Sequence, residues 1–244
     1  MTSNFQQDIK QKQEAFNTAI QAYHNFEYYG YVYKTVSIFN VSAQILLFLT
    51  LFTFQIAVYW YLILFIVAYY LTDFINGLVH LYMDNNDDYE TIFGPFIASF
   101  HLHHKTPKYR DNNLFMIYFN ESGPKFWLVP YLTTVILLSY LGANELFLTL
   151  LIYIGILSSV AEVSHYLCHN SKAAWVRHLQ DLGLLLSKNH HNHHHKDDNK
   201  NYAFLNGMSD PLINYIAKRY YGGYVHGTDL HFEAYNGLDT KNRS

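Results

Sequence analysis

From Val36 to about Tyr82 the chain is almost continuously apolar. No other feature constrains the fold as strongly. The run exceeds the roughly 20 residues that cross a bilayer as one helix. In its middle stands Tyr59-Trp60-Tyr61, the kind of aromatic cluster that marks a membrane interface. The run therefore divides into two helices, about 36–56 and 60–82, joined by a tight turn near 57–59. Tyr28, Tyr29, Tyr31 and Tyr33 would form the belt at the opposite interface. Two more apolar runs follow, Phe126 to Leu141 and Leu146 to Cys168, separated by the turn Gly142-Ala143-Asn144-Glu145. Pro130 lies near the start of the first of these, where a helix best tolerates proline. Burial in a soluble helical core is the competing reading of such runs, and their lengths favour spans.

Half of the residues are apolar and only 14% are charged, yet mean hydropathy is -0.05. Long apolar runs must therefore alternate with strongly polar stretches, as in a membrane protein with large aqueous parts. The basic residues test the topology. Every Lys and Arg lies before residue 36, between Lys105 and Lys125, or after residue 171. With four spans, all of them fall on one side, which the positive-inside bias assigns to the cytoplasm. The expected fold is thus an all-α membrane protein. It has four transmembrane helices, a cytoplasmic His-rich helical cap, and both termini in the cytoplasm. Its parts are an amphipathic N-terminal segment (1–35), a membrane domain (36–225) and a C-terminal tail (226–244).

In the N-terminal segment Phe5, Ile9, Phe16, Ile20 and Tyr23 recur at roughly helical spacing. Such a helix either lies on the membrane surface or packs on the protein's own polar part. The first thirty residues lack the apolar stretch of a cleavable signal peptide. A net charge of -3 gives no electrostatic case for nucleic acid. The single cysteine, Cys168, excludes an intrachain disulfide and a multi-Cys zinc site.

Histidine carries the chemistry. Five of the six residues from His190 to His195 are imidazoles, interrupted only by Asn192. Alone, such a tract reads equally as a solvated run that binds metal adventitiously. Three further groups accompany it: His80, the cluster His101-Leu102-His103-His104, and the pair His165-x-x-x-His169. All gather at the proposed cytoplasmic face. Asn76, His80 and Asp84 share one helix face at i, i+4, i+8, with Asp73 a turn earlier. Asp73 reads as a helix–helix hydrogen bond or as part of the site. His165 and His169 lie on adjacent turns, a spacing able to hold one ion, and Glu162 precedes them by a turn. If the last cluster is helical, His191, His194 and His195 lie along one face. His190 extends that set, and His193 points elsewhere. Cys168 reads as a small packing residue rather than a ligand.

The expected ligands are His80, two or three of His101, His103 and His104, then His165 and His169, and three or four of His190, His191, His194 and His195. They are too many for one ion of four to six ligands and right for two. Imidazole without thiolate suits iron, copper, zinc or nickel. Two ions at a membrane surface, reached by a lipid chain, suggest oxygen activation by iron.

Several His boxes set around four spans resemble the membrane di-iron fatty-acyl desaturases and hydroxylases. More specifically they resemble the Kua family, the lipid desaturase domain of plasmanylethanolamine desaturases. The stretches that carry the resemblance begin with Gly77-Leu78-Val79-His80 with Asp84, then Phe100, His103-His104 and Pro107. They continue with His165-x-x-x-His169, Leu179-Gln180-Asp181, His190-His191, His194-His195 and Tyr202, over about residues 73–210. Leu81 stands where the family usually has Trp, Gly183 near where the plasmalogen enzymes have His, and Asn199 in place of another His. His101 stands where they have a different residue.

The resemblance implies two iron ions (Fe2+), O2 as co-substrate, and an external electron donor, cytochrome b5-like or ferredoxin-like. It also implies a membrane lipid substrate, an alkyl or acyl chain still attached to a glycerophospholipid. The expected function is desaturation of that chain, with no catalytic residues beyond the metal centre. Asp84, Glu162 and Asp181 are expected behind the ligands, orienting ring N–H groups. A lipid hydroxylase on the same centre is the nearest alternative. A metal transporter or non-catalytic metal-binding membrane protein is the alternative of another class, and a transporter would place its ligands near the membrane midplane.

Overall fold

Helices and short connections make up the protein, with no strand among the described residues. A computed structural model describes residues 2–25, 27–105, 112–196 and 200–220. The side chains of Phe5, Ile9, Tyr28 and Tyr29, residues Pro107 and Asn199, and the tail 226–244 lie outside the described residues. In chain order the helices are α1 (Thr2–Asn25), α2 (Glu27–Thr50), α3 (Val58–Asp84), α4 (Gly94–Lys105), α5 (Leu114–Glu121) and α6 (Leu128–Tyr140). They continue with α7 (Glu145–Asn170), α8 (Ala174–Asp181), α9 (Lys188–Lys196) and α10 (Asp210–Tyr220).

Among the described residues three helical stretches are long and apolar enough to cross a membrane: Gly30–Thr53, Val58–Asp84 and Glu145–Asn170. The protein is therefore an all-α membrane protein. α6 is apolar but shorter, and its rise of roughly 1.5 Å per residue brings it to about 20 Å. The helix bounds differ from those read in the sequence. α2 begins at Glu27, because tyrosines at a belt do not interrupt a helix. The break falls at Phe54–Ala57, just before Tyr59-Trp60 rather than within that cluster.

Caps account for the turn between α6 and α7. Gly142 takes a φ of 72°. The Gly142 N–H donates to Ser139 O (3.2 Å) and the Ala143 N–H to Leu138 O (3.0 Å). This is the paired bonding of a Schellman end, which favours glycine. Asn144 then caps α7, its side-chain oxygen accepting from Leu146 and Phe147 N–H. The backbone N–H of Gln55 donates to the Glu145 carboxylate at 2.8 Å. That bond ties the turn before α3 to the turn before α7, so both helices start from one end of the bundle and run toward the histidines.

α3 packs most extensively on α7, and α2, α6 and α7 share an apolar core. Leu47, Leu128, Leu132, Leu148 and Ile152 are buried there. Gly155 lets α6 approach closely, since a Cβ at that position would meet Leu132 Cδ2 at 2.8 Å. Buried polar groups cross-link these helices. Gln44 donates to Gly155 O and Ser159 Oγ, both at 2.9 Å, and accepts from the Tyr118 hydroxyl at 2.7 Å. α1 packs on α4. Phe16 and Ile20 are fully buried against Tyr89, Ile97 and Ala98, and Lys12 pairs with Asp87. Of the two readings of the N-terminal helix, packing on the protein's own polar part is the one observed.

Gln44→Ala removes all three of these bonds, so the Gly155 carbonyl and the Tyr118 hydroxyl lose their Gln44 partner, while Ser159 keeps its bond from Ser122 Oγ at 2.8 Å. The expected loss is about 1–2 kcal/mol, read as a lower Tm of the detergent-solubilised protein. An unchanged Tm would show that the network does not hold the helices together.

Candidate metal centre

Four helices deliver imidazoles to one end of the bundle. The last turns of α3 carry His80 and Asp84, α4 carries His103 and His104, and α7 carries His165 and His169. α9 carries His191, His194 and His195. The local chemistry starts α9 where it does, because the Ser187 hydroxyl caps it by accepting the His190 N–H at 3.1 Å.

The side chains sort into two adjoining groups whose potential ligand atoms lie within 4.8 Å of one another: His103, His165, His169 and His191, and His80, Asp84, His104 and His194. Neighbouring residues are divided between the groups. On α4, His103 joins one and His104 the other, and on α9 the division is between His191 and His194. His195 stands between the groups. Its ring centroid is 5.1 Å from His169 and 5.1 Å from His104, and its Nε2 is 3.1 Å from His191 Nε2.

In the first group His165 Nε2 lies 2.8 Å from His191 Nε2 and 3.1 Å from His169 Nε2. With metal–nitrogen distances of roughly 2.0–2.1 Å, neighbouring ligand atoms on one ion are about 3 Å apart. In the second group the Asp84 carboxylate faces His80 Nε2 at 3.4 Å, His104 Nε2 at 3.2 Å and His194 Nε2 at 3.4 Å. Asp84, expected behind a ligand, thus stands among the ring nitrogens.

The hydrogen bonds behind the rings decide which nitrogens carry protons. His80 Nδ1–H donates to Tyr202 O at 2.7 Å and His194 Nδ1–H to Lys200 O at 2.8 Å. A carbonyl only accepts, so in the neutral ring Nε2 keeps its lone pair, and that nitrogen points at Asp84. His194 Nε2 is buried without a hydrogen-bond partner. Burial, followed by neighbouring rings, pushes His103, His191 and His194 well below the ordinary imidazole range, and His195 down to about 2. Ring nitrogens and a carboxylate converging in a buried site are a donor set that suits a bound cation. The residues present fit two metal ions.

Other expected residues sit elsewhere. The His190 ring turns away from both groups, and its Nε2–H donates to Asp210 Oδ2 at 2.6 Å. His101 is buried between the Tyr89 hydroxyl (2.6 Å) and Met83 O (2.8 Å), in neither group. Glu162 stands behind His165, its Oε2 3.9 Å from Nδ1. Asp181, at the end of α8, and His193, on α9, are exposed and belong to neither group. Cys168 is buried in an apolar cluster with Leu186 and Leu205.

Three contributors, Phe204, Lys125 and Asp210, are not singled out by the sequence, and a fourth, Asp73, reads there as a helix–helix hydrogen bond or as part of the site. Asp73 holds the segment after α9: its carboxylate accepts the N–H groups of Leu205, Asn206, Gly207 and Ser209 and the Ser209 hydroxyl. That segment brings Phe204 against His80 and His165, with centroids at 5.6 and 5.5 Å. Lys125 is buried, its Nζ 2.9 Å from Glu162 Oε1 and 2.6 Å from Asn76 Oδ1. Asp210 fixes His190 and also accepts the Ala203 N–H at 2.9 Å. Only Asp73 carried a sequence signal, a charge inside an apolar run.

The sequence model of the lipid desaturase domain matches residues 69–218, more than half of the chain and all of both histidine groups. No curated protein and no solved structure matches the chain. The matched stretch runs from the middle of α3 to the end of α10, and the chain belongs to the lipid desaturase domain family.

Proposed function

We propose that this protein is an O2-dependent desaturase of phospholipid-attached chains, working through two iron ions at the paired histidine groups. One observation carries the reading: two adjoining sets of buried ligands, joined by His195, at the end of apolar helices in a lipid desaturase domain. The ligands proposed for one ion are His103, His165, His169 and His191, and for the other His80, Asp84, His104 and His194, with His195 serving either. His190 is assigned a positioning role through Asp210.

Bound iron would supply the redox chemistry that lets O2 attack an unactivated C–H bond. Overall, –CH2–CH2– loses two hydrogens to become –CH=CH–. O2, with two electrons from an external donor and two protons, leaves as two waters. The chain's residues set the conditions. Asp84 contributes the one anion among neutral rings. The Tyr202 and Lys200 carbonyls hold His80 and His194 with Nε2 inward. Lys125 fixes Glu162 behind His165, and burial with the nearby Glu162 raises the carboxyl of Glu121 to about 8. Phe100 and Phe204, packed on His80, exclude water from the centre.

We also propose four spans, with α6 as the fourth, and a cytoplasmic cap and termini. The one-sided placement of Lys and Arg supports this, as does the Gln55–Glu145 tie between the two turns that lack them. The position of His80 near the end of α3 supports chemistry at an interface. The proposed double bond therefore forms close to the glycerol attachment of an intact phospholipid.

Purified active protein is expected to contain two irons per chain, and activity to follow iron content. A single zinc with iron-insensitive activity would falsify the metal assignment. Alanine at His165, His169, His191, His194 or His195 should abolish turnover without loss of membrane insertion. His190→Ala should lower turnover ~10–100-fold, and His193→Ala and His24→Ala should be mild. Equal loss at every position would mean that the cluster acts as a fold element.

Lipid mass spectrometry of cells with and without the protein reads the reaction. A two-hydrogen loss in an intact phospholipid is expected. A gained oxygen would move the assignment to hydroxylation, and no change under aerobic, iron-replete conditions would contradict catalysis.

A further inference from the structure

We infer that the two loops wrapped around α3, residues 182–186 and 203–209, are immersed in the bilayer rather than standing above it. Leu182, Leu184 and Met208 then face lipid chains. The inference rests on the reading that α3 spans the membrane.

The first argument is depth. The Gln55–Glu145 bond marks the polar boundary at the start of α3. Tyr69 lies about 17 Å along α3 from Val58, and Asp73 about 22 Å, at roughly 1.5 Å per residue. A hydrocarbon core is about 30 Å thick. Yet the Tyr69 hydroxyl bonds Leu184 O, and Asp73 holds residues 205–209. The loops therefore touch α3 roughly 10 Å inside the near edge of the core, and any tilt of the helix places them deeper.

The second argument is their hydrogen bonding. Irregular backbone survives at membrane depth only if its polar groups are satisfied within the protein. Protein groups supply such bonds here where a solvated loop would use water. Asp73 takes four N–H groups from one loop. In the other, Leu179 O accepts from Leu184 N at 2.9 Å and Gln180 donates to Leu186 O at 2.9 Å. Ser164 joins the two, its hydroxyl donating to Leu205 O at 2.6 Å while accepting the Leu186 N–H at 2.9 Å. The Asn206 side chain donates to Gly183 O at 2.9 Å and closes the tips against each other. Gly183 and Gly207, at φ 69° and 86°, make the turns.

The third argument is what the tips present. Leu182, Leu184 and Met208 are 58%, 50% and 59% exposed. Through Tyr69 they continue the lipid-facing surface of α3, where Ile66 is 61% exposed. This collar reaches from the bilayer to the wall of the metal groups, since the loop that ends at Met208 carries Phe204.

The test is nitroxide accessibility in phosphatidylcholine nanodiscs. Single cysteines replace Leu182, Leu184 or Met208 in turn, with Ile66→Cys and Glu90→Cys as lipid and aqueous references. Cys168 is buried and stays in place. Labels at the three tips should match position 66, with high collision rates for O2 and low rates for a water-soluble nickel chelate. Any two of the three decide if one variant fails to fold. Tip labels as accessible to nickel as position 90, with position 66 protected, would overturn the immersion alone. Nickel access at position 66 itself would overturn the spanning reading and the inference with it.

Discussion

The second histidine group gathers a carboxylate and three imidazole nitrogens in one buried volume, and the rest of the structure answers to that. Asp84 is nearly fully buried, and His80, His104 and His194 present ring nitrogens to it at 3.2–3.4 Å. Such a cluster is costly without a cation, because an anion and lone pairs meet where no water can separate them. Its geometry persists because the Tyr202 and Lys200 carbonyls fix His80 and His194 from behind and each contributing helix is packed on another. α4 and α9 lie across the ends of α3 and α7 and divide adjacent histidines between the groups. Neither group can shift without disturbing the other.

Rigidity behind the rings comes from residues that hold no metal. Asp73 accepts five hydrogen bonds from one loop. That loop presents the Tyr202 carbonyl to His80 and the Phe204 ring to His80 and His165. Lys125 is an expensive charge within an apolar bundle, balanced by Glu162, Asn76 and the face of Phe204. Ionisable groups at this depth are tolerated because nearly every one has a partner, and those partners are what orient the histidines.

Much of this was legible in the sequence because helices impose a short period. His80 with Asp84, His165 with His169, and His191 with His194 and His195 are each one turn apart, so their shared faces follow from spacing alone. The apolar runs reveal the long helices by length. What stayed hidden depends on distant contacts. His190 belongs to the same tract as His191, but Asp210, from the first turn of α10, draws it away, and no periodicity links the two. Asp84 among the ring nitrogens, rather than behind them, is a matter of side-chain direction. The apolar stripe of α1 suited a membrane surface equally well, until α4 was found covering Phe16 and Ile20.

Membership of the lipid desaturase domain family gives the chemistry its class, and the divided histidine groups support the proposed pairing of two ions. Anomalous diffraction at the iron edge, from crystals of iron-loaded protein, tests that pairing most directly. The account predicts two peaks, one among His103, His165, His169 and His191, the other among His80, Asp84, His104 and His194. A single peak, or iron on the exposed face of α9 at His193, would contradict it.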